Sequence, residues 1–139
     1  MAVGLGVAGA AQAAATPAQK MPLTKTNAGC AGYTGPAPGA QGFGFAVIVA
    51  PASRKLVVQV ALKGAPANTT YDIRVIQVLP DASDCGSATV FDGTLTTDAL
   101  GDGNANVHEA VLPGAHTVWV DLNNKADFSD FFTTQAVSF

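Results

Sequence analysis

The stretch KLVVQVALK, residues 55–63, sends Leu56, Val58, Val60 and Leu62 to one side and Lys55, Gln59 and Lys63 to the other. A period of two fits only an extended strand with one face buried and one in water. Comparable runs recur along the chain. FGFAVIVA (43–50) precedes it across the turn residues PASR, and YDIRVIQVL (71–79), TVFDGTLTT (89–97), NVHEAVL (106–112), HTVWVDLN (116–123) and FFTTQAVSF (131–139) follow. Between them lie short connections rich in Gly, Pro, Asn and Asp. No long segment repeats its apolar residues at intervals of three and four, so no helix is expected. About seven short strands divided by turns predict an all-β protein, an immunoglobulin-like sandwich of two antiparallel sheets.

Composition narrows the class further. Of 139 residues 48% are hydrophobic and 12% charged, too apolar for a disordered chain, and 15 Gly with 8 Pro are too many turn formers for a helical bundle. The net charge of −3 comes without any Lys/Arg cluster, which argues against a nucleic-acid partner.

The first residues, MAVGLGVAGAAQAAATPAQK, run through small apolar side chains to Ala11-Gln12-Ala13, an A-x-A-like cleavage site. Residues 1–13 read as the remnant of a secretory signal, and the protein is expected to be secreted. The apolar run falls short of the roughly 20 residues that would span a bilayer, so membrane insertion is not expected. Residues 14–42 form a Pro/Gly-rich leader that is expected to be extended. A short strand near residues 22–26 would lie along a sheet edge of its own domain or of a partner. The sandwich itself occupies 43–139. Cys30 and Cys85 are the only cysteines, and an even count in an exported chain predicts one disulfide tying the leader to the body. Neither sits in a C-x-x-C pair or beside a His, which weakens a metal-ligand or reactive-thiol role. Antibody-type domains place a disulfide between central strands; here Cys30 lies in the leader.

The segments GAPANTTYDIRVIQ and TLTTDALGDGNA, with the terminal AVSF, resemble the small exported sandwich domains of actinobacteria. They are also similar to the neocarzinostatin-type enediyne-binding apoproteins, in a Tyr-Asp strand and a Ser-Phe ending. The resemblance covers part of the body and implies the same two-sheet fold. Members of that family carry two disulfides within the domain, and this chain has too few cysteines for both. Their chromophore-binding role is therefore not carried over.

One candidate surface emerges around the only tryptophan. If LPGA (112–115) closes a symmetric hairpin, His108 falls opposite Trp119, Asn106 opposite Asp121 and Ala110 opposite Thr117. Val107, Val118, Val120 and Leu122 then point inward with Val111. Trp119, His108, Asn106, Thr117 and Asp121 make an outward patch suited to a sugar or a protein loop, because aromatic anchors dominate recognition surfaces. The same indole would be inert if the leader or the loop around Phe128 covered it. Pro-Gly is also a poor pair for a two-residue hairpin, which leaves room for a longer connection.

Other chemistry is thinly represented. Asp98, Asp102, Asn104 and Asn106 offer oxygen ligands, but the Gly and distal Glu of a calcium loop are missing, and Asp-Gly and Gly-Asn pairs are ordinary turn residues. His108 and His116 fall on opposite faces in the proposed register, which disfavours a shared metal. There is no G-x-S-x-G elbow, no paired Cys and His, and no phosphate-cradling loop. Asn68-Thr69-Thr70 is formally a glycosylation acceptor, relevant only in a eukaryotic secretory pathway. No enzyme activity and no cofactor are expected. The expectation is an interaction module, an adaptor or accessory subunit docking on another secreted protein through its leader or sheet edges. A small-ligand binder, for carbohydrate or a hydrophobic metabolite, using the Trp119 face is the alternative.

Overall fold

The computed structural model describes residues 16–24, 41–51, 53–80 and 92–139. Cys30 and Cys85, the signal remnant 1–13 and residues 89–91 of an expected strand lie outside these. Among the described residues the structure is all-β. The strands are β1 (Thr16–Leu23), β2 (Phe43–Ala50), β3 (Lys55–Lys63), β4 (Thr70–Val78), β5 (Gly93–Thr96), β6 (Gly103–Ala110), β7 (Thr117–Asn124), β8 (Phe131–Thr133) and β9 (Val137–Ser138). They form two antiparallel sheets packed face to face. Sheet A runs β1-β2-β3-β6, and sheet B runs β5-β4-β7-β8, with β9 also paired to β7. After β3 the chain crosses to sheet B, returns as β6 and crosses again as β7, the interleaving expected of an immunoglobulin-like sandwich.

Period-two alternation explains the core. Ala46, Ile48 and Ala50 of β2 point inward with Leu56, Val58, Val60 and Leu62 of β3. They meet Tyr71, Ile73 and Val75 of β4, Val118, Val120 and Leu122 of β7, and Phe132 of β8. Full burial of each large aliphatic or aromatic side chain contributes about 1.5–3 kcal/mol, so this interior is the main stabilising element.

Three expectations are corrected in detail. β1 begins at Thr16 and ends at Leu23, six residues ahead of the predicted start, because backbone pairing with β2 holds a sequence that side-chain pattern alone reads as loop. β6 begins at Gly103 rather than Asn106, since Gly103 and Ala105 are small inward residues that carry little hydrophobic signal. A Cβ at Gly103 would lie 2.7 Å from the Thr96 carbonyl oxygen, so only glycine lets the edges of the two sheets approach there. The expected strand 131–139 is split into β8 and β9. Between them Thr134 accepts a hydrogen bond from the Val120 N–H through its Oγ1 at 3.0 Å and donates its own N–H to the Val120 carbonyl at 3.0 Å. A side chain there takes the place of a ladder carbonyl, and regular pairing stops.

The largest correction concerns residues 106–121. β6 and β7 do not form a hairpin; they lie in different sheets. His108 pairs with Val57 and Trp119 with Ile76. Residues 111–116 are a crossover pinned from both sides. The Val111 N–H donates to the Arg54 carbonyl at 2.9 Å, and the Leu112 N–H donates to Oε1 of Gln77 at 2.7 Å. Gln77, fully buried on β4, also donates through Nε2 to Glu109 Oε1 and to the Ala110 carbonyl, both at 2.9 Å. One amide thus ties sheet B to the end of β6, and the chain is carried across rather than turned back.

Candidate functional site

The crossover separates the five residues expected to share a surface. Asn106 and His108 are exposed on the outward face of sheet A. Thr117, Trp119 and Asp121 lie on the outward face of sheet B, on the far side of the molecule. Trp119 does point away from the core, between buried Val118 and Val120, and is partly buried. Asp121 is 0% exposed.

That burial is shared across the face. Successive cross-strand rows read Asp72–Asn123–Phe131, Arg74–Asp121–Thr133 and Ile76–Trp119. Every member except Trp119 is buried. Arg74 sits directly across from Asp121, a pairing of opposite charges in the antiparallel ladder. Asp72 Oδ1 lies 3.9 Å from the Lys125 ammonium, which remains half exposed. Asn123 is 1% exposed, and neither its side-chain oxygen nor its nitrogen has a hydrogen-bond partner; Thr133 Oγ1 has none either. Leaving such groups unmade costs about 1–3 kcal/mol each.

At the start of β4, on the inward side, the Tyr71 hydroxyl is satisfied instead. The Tyr71 hydroxyl donates to Asp130 Oδ2 at 2.6 Å, Asn124 Nδ2 donates to the same oxygen at 3.1 Å, and the Phe132 ring meets Tyr71 edge-on at 5.8 Å. Burial first, and the hydrogen bond to Asp130 second, push the phenol far above its ordinary range. This is a structural anchor for the loop that leads into β8.

The outward face of sheet A has the opposite character. Phe43, Phe45, Val47 and Val49 stand in a column along β2, with Val57 and Ala61 beside them on β3. All are at least partly exposed, and Phe43 is 67% exposed. The Lys20 ammonium lies 4.0 Å from the centre of the Phe45 ring. On β6, Asn104, Asn106 and His108 form an exposed polar column next to β3. Sequence reading missed this face because FGFAVIVA looks like a strand buried on both sides. The available signal was the alternation of its partner β3, which already places Val57 and Ala61 with Lys55, Gln59 and Lys63.

Of the acid and amide cluster, the two aspartates serve turns, while Asn104 and Asn106 stand on β6. Asp98 Oδ1 accepts the N–H groups of Leu100 at 2.9 Å and Asp102 at 3.0 Å, and those bonds, the Asp102 one foremost, hold its carboxyl below the usual range. Asp102 accepts from the Gly64 N–H at 3.1 Å and pairs with Lys63 at 3.8 Å. Gly101, at φ +82°, completes the turn; its Cβ would fall 1.9 Å from the Ala65 carbonyl oxygen. Among the described residues no three His, Cys, Asp or Glu side chains gather as metal ligands.

The chain matches no protein-family model, no curated protein and no solved structure.

Proposed function

We propose that the chain is a secreted, non-catalytic protein–protein interaction module, an adaptor or accessory subunit of an extracellular assembly. The observation that carries this reading is the outward face of sheet A, where Phe43, Phe45, Val47, Val49 and Val57 stay exposed or partly exposed although the core is complete without them. Apolar side chains gathered on one surface, with polar residues at their rim, mark contact sites more than scattered ones do. β1 seats part of the leader on its own sheet, so docking falls to the face that β1, β2, β3 and β6 present. The test uses the full chain, immobilised and exposed to culture supernatant of the producing cell, beside a folded Phe43→Ser/Val47→Ser variant. A defined secreted protein held by the wild type and lost by the variant supports the reading. The same proteins on both, or none on either, ends it.

A second reading, binding of a small carbohydrate at the Trp119 face, is favoured by the indole of the only tryptophan, which points away from the core and is partly exposed. Emission of the only tryptophan is followed while glucose, galactose or N-acetylglucosamine is added. An unchanged spectrum at millimolar sugar ends this reading.

A further inference from the structure

We infer that the outward face of sheet A is built for a protein partner whose own surface is apolar at its centre and acidic at its rim. This rests on the interaction-module reading and adds the partner's chemistry. Within the whole chain acidic residues outnumber basic ones, ten to seven. On the outward strand positions of sheet A the balance reverses. Lys20 of β1 and Lys55 and Lys63 of β3 are the charged side chains there, with Arg54 exposed in the adjoining turn. Glu109 of β6 points the other way and is bound by Gln77. Asp102, in the turn before β6, offsets Lys63 alone. Lys20 and Lys55 flank the apolar column from opposite sides. Alternate residues on β2 are spaced about 6.4–6.8 Å apart, the repeat that an extended or sheet-borne partner presents.

Charge complementarity selects among occupants. A second copy laid face to face would bring lysines toward lysines, an arrangement that suppresses association. A bilayer would have to desolvate Gln59, Asn104, Asn106 and His108, which offer it no return in hydrogen bonds. A protein partner can meet those groups with its own donors and acceptors while its carboxylates face Lys20 and Lys55.

The full chain is tested against four probes: a random copolymer of glutamate and tyrosine, a copolymer of lysine and tyrosine, polyglutamate, and vesicles of phosphatidylcholine with phosphatidylglycerol. The expected result is binding to the glutamate–tyrosine copolymer above polyglutamate, with no binding to the lysine copolymer. Binding should fall about tenfold in a folded Lys20→Glu/Lys55→Glu variant and weaken at about 1 M salt, where the screening length is only ~3 Å. Equal binding to both tyrosine copolymers overturns the acidic-partner inference but leaves the interaction module standing. Binding to vesicles alone overturns both. No binding to any probe overturns the inference, and the supernatant experiment then decides the module separately.

Discussion

The two outward faces of the sandwich follow the same alternation and reach opposite ends. Sheet A turns Phe43, Phe45, Val47 and Val57 toward solvent, while sheet B keeps Asp72, Arg74, Asp121 and Asn123 out of it. Alternation decides which side of a sheet a residue occupies; it says nothing about whether that side is wet. The apolar face is therefore the one left open to solvent, and the polar face is the one the fold itself has buried.

That contrast can be broken most severely at Arg74. Arg74→Ala leaves the buried Asp121 carboxylate without its cross-strand counter-charge and should cost about 3–5 kcal/mol, read as a lowered urea midpoint. A change below 1 kcal/mol would mean that the face is far wetter than its burial indicates. Tyr71→Phe, inside the core behind that face, should cost about 1.5–3 kcal/mol at neutral pH through loss of the bond to Asp130. Its pH dependence has a definite sign. The folded phenol titrates above the unfolded one, so its stabilisation is complete below pH ~10 and is lost as pH rises beyond it. The gap between wild type and Tyr71→Phe should accordingly narrow under alkali; a constant gap would argue against the buried, protonated hydroxyl.

Asn123→Leu sharpens the comparison from the other direction. Replacing an unpartnered buried amide with an apolar group of similar size should stabilise by about 1 kcal/mol, whereas a loss of that size would reveal a partner for the amide. On sheet A, Val47→Thr should change stability by less than about 0.5 kcal/mol, as surface substitutions do. A loss above 1.5 kcal/mol would place Val47 in an interior it is not assigned to.

Much of the fold was legible because Leu56, Val58, Val60 and Leu62 have no other way to share a face. The outward direction of Trp119 was legible for the same reason. The hairpin error had a specific cause: Pro113-Gly114 turns the chain equally well in a reversal and in a crossover, and the amide that decides between them, Gln77, is more than thirty residues away in sequence. Nor could local pattern show that Asp121 is buried, because the row Arg74–Asp121–Thr133 is assembled from three strands. The candidate patch failed as a unit on that crossover, although each of its residues took the side of its own strand that alternation assigns.

The seating of β1 has a consequence for how the molecule behaves in a crowded solution. Without it, FGFAVIVA would be the terminal strand of sheet A, a long ribbon with no charge and no proline, ready to recruit a stranger's backbone. With it, that outermost post goes to TPAQKMPL, whose two prolines lack amide hydrogens and whose lysine repels its like. The Thr24 and Thr133 backbones then clasp each other, N–H to carbonyl both ways at 2.8 and 2.7 Å, and fasten this guard to the opposite layer. A protease that clips the chain just after Leu23 would thus free both the guard strand and Leu23, a side chain of the interior, and strike solubility and core together.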